Sequence, residues 1–204
     1  MSEYSFNEEQ ASKADDFANR LDTSGAYVGV FTKAFGTKSQ SGTEGITLEF
    51  DTGSAGKAEV TLWTRKEDGE PAFGMNFLQS IMMMLGLRGL KSTSGKVDQW
   101  DNDAGKRVEQ DGEVFPELLN RRIGLVLQKE LLTKRSGGDS YRMNVYGVFH
   151  HESKLTASEI KERKVQPAKL DKLLHSLKDK DSRKANAEPA QPSMVVTSAP
   201  TGTY

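Results

Sequence analysis

The alternation of apolar and polar positions marks strands before anything else in this chain. GITLEF (45–50) sets Ile46, Leu48 and Phe50 against Thr47 and Glu49, the period-two pattern of a strand with one buried face. KAEVTLWTR (57–65) repeats it, with Ala58, Val60 and Leu62 against Lys57, Glu59, Thr61, Trp63 and Arg65. Upstream, AYVGVFTKAF (26–35) is dense in β-branched and aromatic residues and reads as a strand. The small polar residues of GTKSQSGTEG (36–45) read as a mobile loop, and DTGSAG (51–56) and KEDGEP (66–71) as turns. Short connections make the three strands an antiparallel meander.

The alternation disappears in FGMNFLQSIMMMLGL (73–87), which reads as a helix stopped by Gly86 and Gly89. Residues 91–113 are hydrophilic, acidic and punctuated by glycine, and read as an exposed insertion anchored by Trp100. FPELLNRR (115–122) reads as a short turn or helix. IGLVLQKELLTK (123–134) and YRMNVYGVFHH (141–151) flank RSGGDS, whose paired glycines suit a hairpin turn. LTASEIKERK (155–164) opens like a capped helix. KLDKLLHSLKDK (169–180) places Leu170, Leu173, Leu174 and Leu177 on one helical stripe. One short helix is expected around Glu8 to Leu21, and disorder from Ser182 onward, where Ala, Pro, Ser and Thr dominate.

That order predicts a mainly β fold with α additions: a five-stranded OB-like Greek-key barrel with a helix between strands 3 and 4, followed by C-terminal helices. The expected organisation is an acidic extension at 1–24, the barrel at 25–151, C-terminal helices at 152–181 and a disordered tail at 182–204.

Composition narrows the function. The chain has 204 residues, 35% hydrophobic and 28% charged, enough for one ordinary core. No apolar run approaches the roughly 20 residues of a membrane helix. The start, MSEYSFNEEQ, is acidic, the opposite of a secretory signal. With no cysteine there is no disulfide framework or thiol nucleophile, and a cytoplasmic location is the default expectation. The net charge of −1 argues against a strongly basic nucleic-acid binder, although a local basic groove can still form.

Catalytic patterns fail one by one, so no enzyme and no cofactor are expected. His150 and His151 would point to opposite faces of a strand, and His175 lies on an amphipathic helix. Asp101 and Asp103 fit the first positions of a calcium loop, but Lys106 and Gly112 stand where its glycine and bidentate glutamate belong, so no metal site is expected. GSAGK (53–57) lacks the spacing of a phosphate loop.

An aromatic and basic set on strands remains. If Val28, Val30 and Thr32 face inward, Tyr27, Phe31, Lys33 and Phe35 face outward. Trp63 and Arg65 stand opposite Val60 and Leu62, while Arg142, Asn144 and Tyr146 share one face of the last strand. Lys129 and Lys134 come from the fourth strand and its end, with Arg135 in the turn, and Lys38 lies in the loop after the first. Rings that stack on bases beside cations that meet phosphates are the physics of sequence-tolerant single-strand binding. The competing reading is that these rings are core, with one bulge enough to reverse a face. Met82, Met83 and Met84 with Leu85 and Leu87 read as core, with a homodimer contact as the alternative.

The strings AYVGVFTKAFGTKSQSGTEGITLEF, AEVTLWTRKEDGE, FPELLNRRIGLVLQKE and YRMNVYGVFH resemble phage-encoded single-stranded DNA-binding proteins. The resemblance covers about residues 25–151 and carries no invariant catalytic motif. It implies an OB fold, single-stranded DNA as partner, a place among phage replication or recombination proteins, and the host bacterial cytoplasm. One departure stands out. Many such proteins end in an acidic tail tipped with Phe, whereas this chain ends APTGTY. The alternative is a phage protein-interaction module, a host-defence inhibitor or recombinase accessory, that uses the barrel as a scaffold.

Overall fold

Three strands follow one another where the alternation places them: β1 (Gly25–Lys38), β2 (Glu44–Asp51) and β3 (Lys57–Arg65). The computed structural model describes residues 19–101, 106–134 and 136–183, without the side chains of 100–101 and 106. The rest of the chain runs α1 (Gly74–Met84), β4 (Thr93–Asp101), β5 (Lys106–Val114), β6 (Arg122–Thr133), β7 (Asp139–Phe149), α2 (Ala157–Lys161), α3 (Lys169–Ser176) and β8 (Lys180–Asp181). The fold is mainly β with few, short helices.

Strand β1 is the hub of the sheet. Its first half pairs antiparallel with β6, from Gly25 opposite Leu127 to Val30 opposite Arg122. Its second half pairs with β2, from Val30 opposite Asp51 to Lys38 opposite Glu44. β3 extends the sheet beyond β2, β7 beyond β6, and β4 beyond β5, which joins β1 at Phe35. The two-residue β8 lies parallel to β6.

The expected five-stranded closed barrel is corrected in two respects. Eight strands are present among the described residues, and no ladder joins β3 to β7, so the sheet stays open. Helix α1 packs against both β3 and β7. It places Leu78, Ile81 and Met84 in the core there. A helix can shield apolar side chains at such a seam without supplying ladder hydrogen bonds.

Most of the expected insertion at 91–113 is the β4–β5 hairpin, whose nine residue pairs run from Thr93–Val114 to Asp101–Lys106. The arm bends over the outer face of the meander. There Arg107 reaches Glu59 at 2.6 Å, and the Gln99 amide donates to the Gly36 carbonyl at 2.9 Å. Val97 is buried, as are Phe35 and Thr47. The role of Trp100 as anchor and the acidic calcium-like run lie partly outside the described residues.

The main core gathers Phe31, Phe50, Leu48, Ile81, Leu118, Ile123, Leu125 and Leu127, all fully buried. A second cluster covers the opposite face of β1, β6 and β7, where Val126, Phe149 and Leu170 meet Val28, Tyr146, Leu174 and Leu177. The leucine stripe of α3 therefore packs on the sheet, and β6 is buried on both faces. Gly124 in β6 is required by close approach, because a β-carbon there would collide with the ring of Phe149.

Both ends of the described residues join the fold more deeply than composition indicates. Leu21 is buried and its amide donates to the Lys57 carbonyl at 2.7 Å. Ser182 donates to Glu130 at 2.6 Å, and Arg183 to Asp139 at 2.9 Å. Most of the expected N-terminal helix and of the tail lies outside the described residues. The expected loop at 36–45 is shorter than predicted, since β1 and β2 continue to Lys38 and Glu44. The turn between them is closed by Ser39 donating to the Thr43 carbonyl at 2.8 Å.

Candidate nucleic-acid interface

In β3 the strict alternation survives intact: Ala58, Val60, Leu62 and Thr64 are buried, while Lys57, Glu59, Thr61, Trp63 and Arg65 are exposed. Trp63 is 38% accessible. Its indole lies over Gly45 of the neighbouring strand, where a β-carbon would stand 2.9 Å from Cε3 of the ring. The missing side chain at residue 45 lets a flat ring rest on the sheet.

Two cations gather at Glu44, the neighbour of Gly45. Glu44 pairs with Arg65 at 3.9 Å and with Lys38 at 3.7 Å, and all three side chains are about half accessible or more. Exposed pairs of this kind contribute about 0–1 kcal/mol, so an incoming anion can compete for both cations. Further along the same face, Lys33 pairs with Glu49 at 3.2 Å. Burial pushes the Glu49 carboxyl up, but the Thr32 hydroxyl at 2.6 Å, Lys33 and Lys57 outweigh it and hold the group below its ordinary range. Lys33 is thus more firmly engaged than Lys38 or Arg65.

A cleft of about 720 Å³ opens beside this corner. Lys38, Glu44 and Arg65 line one rim, Asp111 and Glu113 of the arm the other, and Met75, Leu78 and Met82 of α1 its apolar wall. The cleft therefore carries charges of both signs.

Phe73, unmarked in the sequence reading beyond its place at a helix start, is 73% accessible. Backbone contacts place it along the edge of β3. Pro71 bridges Arg65, Ala72 donates to the Thr64 carbonyl at 2.9 Å, and a β-carbon on Gly74 would stand 2.8 Å from the Trp63 nitrogen. Its ring meets Phe77 edge-on at 5.3 Å. The only available signal was a large ring preceding a helix whose apolar stripe does not need it.

The remaining candidates divide differently from the expectation. Phe31 is fully buried, with its ring 5.7 Å from that of Phe50. The outward assignment of Tyr27 and Phe31 is therefore reversed. A bulge between Phe31 and Lys33 shifts the register, so Phe31 points to the core while Lys33 faces out. Tyr27 is half-buried against the main core and its hydroxyl donates to the Thr23 carbonyl at 2.8 Å. Burial and then Asp22 push its phenol up. Phe35 is buried where β1 meets β5.

Arg142, Asn144 and Tyr146 do share one face, which the C-terminal segment borders while Arg142 stays exposed. Arg142 and Asn144 both donate to Glu130 at 2.8 Å, and the Tyr146 hydroxyl lies 3.2 Å from Ser176. Lys129 stands over the Tyr141 ring at 4.9 Å, and Arg20 over the same ring at 5.4 Å. Lys134 is exposed where β6 enters the hairpin turn. The structure thus brings Lys38, Trp63 and Arg65 together, sets Lys33 along the same face, and leaves Lys129, Lys134, Arg142, Tyr27 and Tyr146 on the other half of the sheet.

The histidines give no site. β7 ends at Phe149, so the turn that follows brings the rings of His150 and His151 to 4.8 Å instead of separating them. His150 Nδ1 is engaged by Ser153, and His175 Nδ1 meets the Asp171 carbonyl. Among the described residues no three His, Asp or Glu side chains converge as metal ligands. No helix there is long and apolar enough to cross a membrane.

A scan of the chain against models of known protein families finds no match, and no curated protein matches it by sequence.

Proposed function

We propose that this chain binds single-stranded DNA without sequence preference, across the Trp63 face of β2 and β3. The observation that carries the reading is one accessible indole laid on Gly45, next to an exposed Glu44 that holds both Lys38 and Arg65. A base stacking on Trp63 would leave its phosphates within reach of Lys38 and Arg65, with Lys33 further along the face and Phe73 at the edge. Base–aromatic stacking contributes about 1–3 kcal/mol per base and tolerates any sequence. The strand order β3-β2-β1-β6-β7, with α1 after β3, supports an OB-type frame into which the β4–β5 arm is inserted. On this reading the protein protects or organises single strands during phage DNA replication or recombination in the host cytoplasm, with other proteins of those processes as partners.

Titration with poly-dT at low salt tests it directly. Emission should be quenched in the wild type and much less so in Trp63→Ala. Log affinity should fall with log salt at a slope of about −2 if three cations are engaged. Absence of any binding at low salt would sink the proposal.

A second reading, the protein-interaction module, has one observation in its favour. Phe77, Val148, Ala157 and Leu173 line a mostly apolar groove of about 540 Å³ between α1, α2 and α3, beside Lys169 and Lys172. It gains if poly-dT fails to bind while a protein survives nuclease treatment in complex with the wild type and is lost with Leu173→Glu.

A further inference from the structure

Strand β4 ends the sheet path and pairs with β5 alone among the described residues. Its other edge therefore presents the backbone donors and acceptors of alternate residues, without a ladder partner among the described residues. Such an edge is a template for another strand unless something blunts it.

The two faces of β4 differ. Gly95, Val97 and Gln99 look toward the meander, where Val97 is buried and Gln99 donates to Gly36. Lys96 and Asp98 lie on the opposite face: Lys96 pairs with Asp111 at 2.9 Å, and Asp98 lies 3.8 Å from Arg107, which also holds Glu59 at 2.6 Å. A lone lysine would blunt the edge by charge. Here an acid follows two positions later on the same face.

We propose that two copies of the chain pair through β4, antiparallel and centred on Val97. The strand spans Thr93–Asp101, so a two-fold axis at Val97 lets every residue of one copy face a residue of the other. Lys96 then stands opposite Asp98 of the second copy, and Asp98 opposite Lys96, so both cross-strand pairs are attractive. Val97 meets itself on the buried face. An isologous contact requires this self-complementarity, and shifting the register by two residues loses it. The occupant is thus a second copy of this chain, and the pairing joins two sheets into one. The proposal is independent of what the Trp63 face binds.

Sedimentation velocity on full-length protein tests it through charge reversal. The wild type should sediment as a dimer, and Lys96→Glu and Asp98→Lys should each be monomeric, because each places like charges opposite one another. An equimolar mixture of the two variants should form a heterodimer, since Glu at 96 then faces Lys at 98 and Asp98 faces Lys96. The Lys96→Glu/Asp98→Lys double variant should dimerise alone. A monomeric wild type at the highest soluble concentration would overturn the proposal, as would single variants that dimerise like the wild type or a mixture that stays monomeric. Amide exchange on the wild type gives a check that needs no variant. Protection along 93–101 should rise with protein concentration, and concentration-independent exchange would overturn the proposal equally.

Discussion

Trp63 and Gly45 share one space: a β-carbon on residue 45 would stand 2.9 Å from the indole and 2.7 Å from the Leu62 carbonyl. Gly45→Ala is therefore expected to lift the ring from the sheet. On the proposed function it should weaken poly-dT binding by about 5- to 150-fold, the equivalent of one stacked base. Trp63→Phe should retain more affinity than Trp63→Ala. Fluorescence titration of the three variants checks both, and equal affinities would place binding elsewhere.

Phe31 is fully buried, so its loss should act through stability and not through affinity. Phe31→Ala is expected to cost about 3–5 kcal/mol. Denaturant unfolding should show that loss, while the folded fraction should bind oligonucleotide as the wild type does. A selective affinity defect would contradict its place in the core.

Gly124 has the ring of Phe149 in the space of its missing side chain. Gly124→Ala should destabilise by about 1–3 kcal/mol or more through overpacking. Adding Phe149→Leu should recover part of that loss, because the smaller side chain vacates the contested volume. Additive losses in thermal unfolding would show that the contact is not the cause.

Acid should unfold the C-terminal half through two buried carboxylates. Burial pushes the Glu159 carboxyl up, but amides of Thr156, Ala168 and Lys169 and the Thr156 hydroxyl outweigh it and hold it at about 2. Burial opposes the charge of Glu130 as well, yet Lys180, Ser182, Arg142 and Asn144 keep its carboxyl far below the ordinary range. Both folded values lie below the unfolded one, near 4.3 for a glutamate, so the unfolded chain binds more protons as pH falls. Their stabilisation is complete above about pH 5 and is lost as pH falls through the folded values. Glu159→Gln should cost about 2–3 kcal/mol near neutrality, and the difference from wild type should shrink on acidification. Urea midpoints measured from about pH 7 down to about pH 3 check this, and a constant difference would reject it.

The Glu159 contacts also show how far local sequence carries. Thr156 and Glu159 form the capping box that the spacing suggests at the start of α2. The same carboxylate accepts the amides of Ala168 at 2.7 Å and Lys169 at 2.9 Å, which start α3. The second task was invisible because it depends on how the chain returns ten residues later.

What the chain settles by itself is local. The two-residue period of β3 marks which side chains face out, including Trp63 and Arg65, because one continuous strand with one buried face has a single phase. The stripe of α3 likewise dictates its packing face. Tertiary structure decides where several layers meet one strand. β1 borders the main core, the α3 cluster and the arm, and its bulge after Phe31 resets the phase, so alternation could not say which rings were buried. The β4–β5 hairpin contains few apolar residues and owes its order to backbone pairing and to contacts with the meander. Glu130 collects Arg142, Asn144, Lys180 and Ser182 only after β6, β7 and β8 lie side by side. Periodicity reports a strand's own environment, whereas pairing between distant segments exists only once the chain has folded.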